Sequence, residues 1–228
     1  FYKDYLIGED PTNVERCMMK IRRMGSFKPW GSAVSAIEIA LWDIAGKAAG
    51  IPVYKLLGGK IRDKVRVYNT AVHRFPVRGI KPEDYAKSVA DNKASGEGFT
   101  IIKHGIGFHS NMRTDPSFFY GAPAVSNSPK SAPHPDRGPL TERGLKQIIA
   151  VVDAMKKVLG DEVGLALDCG PGYMVSDAIR LAKALEPYNL MWAEDLITGD
   201  YNPYVMADNI RQVTEATKIG RASCRERV

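Results

Sequence analysis

Apolar and polar residues follow two different rhythms along the chain, one before about residue 60 and another after it. In the first part the apolar positions recur at helical spacing, and they predict helices over 10–24 and 33–49 and a short helix that ends at Gly58 and Gly59. The second of these helices is apolar around most of its circumference, so we expect it to be buried on most sides.

After Lys64 short apolar runs alternate with helical stretches. The runs predict four strands, at 65–69, 99–103, 163–168 and 190–194, and a helix follows each of them. The last two runs are continuous, which is typical of strands buried on both faces of a parallel sheet. Four strand–helix units in a row therefore predict a parallel α/β sheet. No GxGxxG follows the first strand, which argues against a dinucleotide-binding fold.

Two of the predicted strands end on an acid, Asp168 and Glu194. In parallel α/β folds the carboxyl ends of the strands meet at the face that carries the chemistry. Carboxylate oxygens that converge there suit a hard cation such as Mg²⁺. The alternative for each acid is a solvated side chain at the end of a strand.

A long polar stretch with six prolines, Gly105–Pro139, separates the second strand from the next helix. A connection of this length is uncommon in a compact domain and is usually functional where it occurs. Since it starts at the face that bears the two acids, its polar side chains could close over a bound anion; they are His109, Arg113, Tyr120 and His134. The alternative is a surface insertion without a role in binding.

Composition excludes several classes of protein. The chain has 228 residues, of which 44% are hydrophobic, as in an ordinary globular protein. The net charge of +6 comes from dispersed basic residues, so we expect no nucleic-acid partner, and no apolar run has the length of a membrane span. Cys17 and Cys169 lie in unrelated settings, which favours a reducing cytoplasm.

Both ends of the chain depart from the pattern of a complete protein. Phe1 is not an initiator methionine, so we expect the chain to begin inside a longer protein. Residues 219–228 break the preceding pattern, and we expect them to be a non-native tail; the alternative is a native basic tail. Without them the net charge falls from +6 to +4.

Several of these segments together resemble one protein family. They are Gly31–Lys47 with its Ile-Ala-Leu-Trp-Asp core, Leu56–Gly59, the strand that ends at Lys103, the strand that ends at Asp168, and Trp192–Asp195. As a set they resemble the enolase superfamily, in the branch of mandelate racemase and the muconate lactonizing enzymes, which includes acid-sugar dehydratases. The resemblance implies an α/β fold. Residues 63–218 would form a partial TIM-type barrel of about four βα units, and residues 1–62 would be the helical end of a capping domain.

The resemblance also implies roles for particular residues. Asp168 and Glu194 would be the first two ligands of Mg²⁺, and Lys103 would be either a cation near the substrate carboxylate or a proton-transfer residue. The substrate would be a sugar acid that loses the proton next to its carboxylate, and the complete protein would be a homo-oligomer. The third carboxylate ligand of the family, expected on a fifth strand, is not present, so we expect this polypeptide by itself to be inactive.

Two positions depart from the family pattern. Gly105 stands where the racemase branch has a second lysine, and Gly170 stands where several dehydratases have a histidine. Strand alternation turns His104 to the opposite side, so Tyr120 becomes the candidate substitute base. We expect Cys169 to be a packing residue. Because racemisation needs two opposed bases, the sequence favours dehydration; the alternatives are an epimerase or cycloisomerase, and a non-catalytic barrel.

Overall fold

The computed structural model describes residues 2–22, 32–70, 76–120, 139–170, 172–197 and 207–222. The chain divides into two compact units, Phe1–Arg66 and Val67–Val228. We expected the boundary at residues 62 and 63, a few positions earlier, and that domain boundary stays a prediction.

The first unit is helical. Its helices are α1 (Lys3–Leu6), α2 (Val14–Arg22), α3 (Ser32–Ala49) and α4 (Val53–Leu56). Apolar residues of α2 and α3 form its core, which consists of Val14, Cys17, Met18, Ile21, Val34 and Leu41. Our expectation that α3 is buried on most sides was wrong, because α3 packs α2 on one face while Ile39 and Ile44 stay 70% and 41% exposed.

The second unit alternates strands and helices. In chain order its elements are β1 (Asn69–Thr70), α5 (Pro82–Ala94), β2 (Ile101–Gly105), α6 (Glu142–Leu159), β3 (Gly164–Asp168), α7 (Val175–Leu185), β4 (Ala193–Glu194), α8 (Ala207–Ala216) and β5 (Arg221–Ala222). The strands form one sheet in the order β1-β2-β3-β4-β5, and every neighbouring pair is parallel. The prediction of a parallel α/β sheet is therefore confirmed.

The first and fourth strands are shorter than predicted. Residues 65–68 do not join the sheet, since β1 pairs with β2 only from Asn69 onward, and Val65 and Val67 are 71% and 62% exposed. In β4 only Ala193 and Glu194 form ladder pairs. Part of the predicted last helix, 204–206, lies outside the described residues.

The beginning of the long stretch after β2 is part of the core. It forms two short 3₁₀ helices, Gly107–His109 and Asn111–Thr114, and Phe119 then forms a bridge with Leu140. Its buried apolar side chains are Ile106, Phe108, Met112, Phe118 and Phe119. The part that the structure describes is thus not a loose surface insertion; residues 121–138, including His134, lie outside the described residues.

The last strand belongs to the segment that we expect to be non-native. Arg221 and Ala222 pair with Ala193 and Glu194, and Ile219 is buried. The origin of residues 219–228 stays a prediction. Among the residues that the structure describes, no helix is long and apolar enough to cross a membrane.

Candidate functional site

The register of the sheet brings Lys103, Asp168 and Glu194 to one face. Asp168 is the ladder partner of Gly105 in β2 and of Glu194 in β4. Partners in a parallel ladder point to the same side, and so do residues two apart on one strand. Lys103, two residues before Gly105, therefore shares its face with both carboxylates.

The Lys103 ammonium lies between the two carboxylates. Its Nζ donates to Asp168 Oδ2 at 3.0 Å and to Glu194 Oε2 at 2.9 Å. The side chains of Lys103, Asp168 and Glu194 are only 10%, 9% and 5% exposed. Two carboxylates and one ammonium leave a net negative charge in a buried place, and a further cation would compensate it.

Opposing effects act on the pKa of Lys103. Burial lowers it, but the hydrogen bonds to Glu194 and Asp168 and the attraction of their charges outweigh burial, so the pKa of Lys103 is raised above its ordinary value. In this arrangement Lys103 is a cation, and its role, as a cation near the substrate carboxylate or as a proton-transfer residue, stays a prediction.

An aromatic pair flanks the ammonium and Glu194. Trp192 Nε1 donates to Glu194 Oε2 at 3.3 Å, and the Trp192 ring meets the Tyr68 ring edge-on, with 5.1 Å between the centroids. Lys103 Nζ lies 5.8 Å from the Tyr68 centroid, within the range of a cation–π contact. The pair thus restricts where both charged groups can move.

The other oxygen of Asp168 has separate partners. Oδ1 accepts from the Gly170 backbone N–H at 3.3 Å and lies 3.3 Å from His109 Nδ1. His109 comes from the turn after β2, and half of its side chain is exposed. It is therefore the accessible member of an otherwise buried cluster.

Two other predicted side chains of the long stretch, Arg113 and Tyr120, are not part of the cluster. Tyr120 is 61% exposed, and within the described ranges no contact joins its side chain to Lys103, Asp168 or Glu194. Arg113 is also exposed. The catalytic role of Tyr120 stays a prediction.

Two neighbours of the cluster behave as expected. His104 faces away from it, with Nε2 at 3.1 Å from Ser88 Oγ of α5, so the predicted orientation is confirmed. Burial lowers the pKa of His104, and the backbone hydrogen bond to Gly105 opposes this only in part. Cys169 is fully buried, which raises the pKa of its thiol, as do the charges of Asp168, Asp195 and Glu194. It is a packing residue.

The sequence did not reveal all the residues around the cluster. The i, i+2 spacing of Trp192 and Glu194 in one strand could have indicated that they share a face. The contact of His109 with Asp168 depends on how the turn after β2 folds, and no periodic pattern predicts that. Tyr68 precedes the regular part of β1, and no sequence pattern marked it as a neighbour of the cluster.

The fold and the site together define a class: a parallel α/β sheet with an acid–lysine–acid cluster at the carboxyl ends of three neighbouring strands. Two family models match this chain. Residues 2–58 match the N-terminal domain of mandelate racemase and muconate lactonizing enzyme, and residues 85–219 match the enolase C-terminal domain-like family. The chain belongs to this family, the mandelate racemase and muconate lactonizing branch of the enolase superfamily, as the resemblance implied.

Similar curated proteins bear dehydratase names. A D-galactonate dehydratase family member of Pantoea ananatis is 33% identical over 210 residues, which cover 86% of this chain and 47% of that protein. A D-mannonate dehydratase of Caulobacter sp. is 32% identical (86% of this chain and 47% of that protein), and a D-xylonate dehydratase of Haloferax volcanii is 31% identical (85% and 42%). The chain spans about half the length of these relatives.

Solved structures agree on the fold. A member of the enolase superfamily from Salmonella Typhimurium has a TM-score of 0.68 at 27% identity, over 97% of this chain and 54% of that one. A mandelate racemase/muconate lactonizing enzyme-like protein from Rubrobacter xylanophilus has a TM-score of 0.67 at 28% identity, over 96% and 53%. The fold is therefore a partial α/β barrel of the enolase superfamily.

Proposed function

We propose that this chain is part of a Mg²⁺-dependent acid-sugar dehydratase and that the complete protein is longer. One observation carries the proposal: the carboxylates of Asp168 and Glu194, buried at the ends of neighbouring strands, converge on a single cationic atom. The dehydratase names of the similar curated proteins support the reaction class.

The residues present fit Mg²⁺. The oxygens of Asp168 and Glu194 both lie within 3.0 Å of Lys103 Nζ, so they can share one small cation, and both are hard ligands. Among the described residues no group of three or more His, Cys, Asp or Glu could hold a metal ion. Because Mg²⁺ often uses one or two carboxylates together with water or substrate oxygens, two protein ligands are consistent with it. When bound, Mg²⁺ would stabilise negative charge on the substrate carboxylate.

Lys103 would add a second positive charge next to these carboxylates. Removal of the proton next to a carboxylate leaves negative charge on the carboxylate oxygens, and an ammonium held by two hydrogen bonds needs little reorganisation to stabilise it. The electron pair of the broken C–H bond then forms a C=C bond while the β C–O bond breaks. The departing hydroxyl takes up a proton and leaves as water, and the enol product rearranges to a 2-keto-3-deoxy acid.

The structure offers a reason why dehydration fits better than racemisation. A Cβ atom at Gly105 would lie 2.4 Å from the backbone oxygen of His109, so a second basic side chain cannot stand there without movement of the turn. One of two opposed bases is therefore missing. We propose Tyr120 as the candidate for the base.

The test uses the complete protein with Mg²⁺ and a panel of sugar acids that includes D-galactonate, D-mannonate and D-xylonate. We expect mass spectrometry to detect loss of water from at least one acid, and EDTA or Asp168→Asn to abolish it. Exchange of the α-proton with solvent deuterium, without loss of water, would instead indicate an epimerase. A protein that fails to bind Mg²⁺ in calorimetry would be a non-catalytic barrel. The 228-residue chain alone should show no turnover.

A further inference from the structure

The turn that follows β2 is fastened to the end of β3, next to Asp168. The backbone N–H of Ile106 donates to the Asp168 carbonyl oxygen at 2.8 Å, and that of Phe108 donates to the Cys169 carbonyl oxygen at 3.1 Å. A further bond from His109 N to the Ile106 carbonyl oxygen, 2.9 Å long, closes the turn. These bonds fix the backbone of His109 above the candidate ligand Asp168.

Two glycines make room for this turn. A Cβ atom at Gly105 would lie 2.4 Å from the His109 carbonyl oxygen, and one at Gly170 would lie 2.6 Å from the His109 backbone nitrogen. Gly170 also has a φ of +66°, which residues with a Cβ rarely adopt. The two positions that lack a side chain are thus filled by the backbone of one residue, and His109 can occupy its place only because both are glycine.

The imidazole that this turn delivers is the accessible polar group of the cluster. Half of the His109 side chain is exposed, whereas those of Lys103, Asp168 and Glu194 are at most 10% exposed. Nδ1 lies 3.3 Å from Asp168 Oδ1, which fixes the ring orientation and leaves Nε2 on the far side. Within the described residues Nε2 has no hydrogen-bond partner.

We propose that His109 is a substrate-contacting residue that determines which polyhydroxy acids the site accepts. This inference rests on the proposed function. The substrate carboxylate would lie toward Lys103 and the two acids, and Nε2 of His109 would exchange a hydrogen bond with a hydroxyl farther along the carbon chain. A short hydroxy acid without such a hydroxyl would not need His109, whereas a sugar acid would.

The experiment compares the complete protein with His109→Ala, His109→Gln and, as a control at an exposed position of α5, Lys87→Ala. Calorimetry measures Mg²⁺ alone, then glycolate, then the sugar acid that binds best among D-gluconate, D-galactonate, D-mannonate and D-xylonate. We expect His109→Ala to bind Mg²⁺ and glycolate as the unaltered protein does, within about twofold, but the sugar acid about tenfold more weakly, as loss of one hydrogen bond implies. His109→Gln, which can still donate, should recover part of that loss, and Lys87→Ala should lose nothing.

A second measurement depends on no substitution. Diethyl pyrocarbonate should modify the half-exposed His109, and the sugar acid, but not glycolate, should protect it; buried His104 serves as an internal reference in the mass spectrum. Equal sugar-acid affinity of His109→Ala and the unaltered protein, or modification of His109 despite a bound sugar acid, would overturn the proposal while leaving the proposed function intact. Failure of the unaltered protein to bind Mg²⁺ and every acid would refute the proposed function itself.

Discussion

The two faces of β2 place consecutive ionisable residues in opposite environments. Lys103 and His104 are both buried, at 8% and 3% exposure. Lys103 meets two carboxylates on its face, and its pKa is raised. His104 meets Ser88 and the Tyr85 ring of α5 on the other face, and its pKa is lowered.

This difference indicates that Lys103 can act on a ligand, whereas His104 serves only to fill the interior. Burial disfavours the charged form of either residue, so the sign of the shift depends on whether opposite charges are close enough to outweigh it. On the face of Lys103 the charges are retained and can act on a ligand. On the face of His104 a neutral side chain completes the interior between the sheet and α5.

Removal of the Lys103 ammonium should have the largest effect on the free energy of unfolding. Lys103→Met leaves two buried carboxylates next to each other without their cation, and we expect it to destabilise the protein by about 4 kcal/mol at pH 7 in denaturant titrations. Lys87→Met is the matched control, because Lys87 pairs with Asp91 while 76% exposed, and it should change stability by less than about 0.5 kcal/mol. Adding Glu194→Gln to Lys103→Met should restore part of the loss. Equal costs for the two lysine variants would contradict the idea that the charges on this face depend on each other.

Substitution of a glycine beneath His109 should lower the free energy of unfolding by a smaller amount. Gly170 and Gly96 have similar backbone angles, with φ of +66° and +73°, but a Cβ would be crowded at Gly170 and meets nothing within 4 Å at Gly96. Gly96→Ala should therefore cost only the conformational penalty, about 1 kcal/mol, and Gly170→Ala about 2 kcal/mol more because the turn must move. Denaturant titration of both variants gives the difference. If both variants lost the same free energy of unfolding, the turn could move at little cost and its glycines would not be required.

The sequence predicted the cluster because its residues mark strand ends. Short continuous apolar runs that stop at Asp168 and Glu194 indicate buried parallel strands, and the geometry of such sheets then brings the acids together. Lys103 was assigned to the site by the resemblance to the enolase superfamily. The opposite orientation of His104 followed from strand alternation alone.

The sequence did not predict how residues 105–120 fold. They begin the longer stretch Gly105–Pro139, whose polar, proline-rich composition resembles that of a surface loop, yet Phe108, Met112, Phe118 and Phe119 join the core. The turn at His109 depends on contacts with Asp168 and Cys169, about 60 residues later, and no local pattern reports such contacts. The length of β1 was overestimated for a similar reason: Val65 and Val67 alternate as in a strand, but the ladder begins only at Asn69.

On the neutral face of β2, His104 should make the folded protein less stable as the pH falls. The folded pKa of His104 is lowered, so as the pH falls below about 6.5 the unfolded chain binds a proton that the folded protein does not. The stability present above that pH is then lost, by at most about 1.4 kcal/mol per pH unit from this one residue. His104→Gln should remove this part of the pH dependence in denaturant titrations between pH 8 and 5. If the slope below pH 6.5 were the same in both proteins, His104 would not be held neutral by its burial.

The smallest effect is expected at Trp192, and it tests which neighbour positions Glu194. Trp192→Phe keeps a ring against Tyr68 but removes the N–H that donates to Glu194 Oε2 at 3.3 Å, a longer bond than the 2.9 Å from Lys103 Nζ to the same oxygen. If Lys103 determines where this carboxylate lies, the complete protein should lose no more than about tenfold in Mg²⁺ affinity, near the upper end of what one ordinary hydrogen bond contributes. Trp42→Phe in the helical unit is the control and should change nothing. A loss of Mg²⁺ affinity as large as that of Asp168→Asn would mean that the indole, and not the ammonium, holds Glu194 in place. The charged face of β2 would then depend on an aromatic neighbour, just as the neutral face does.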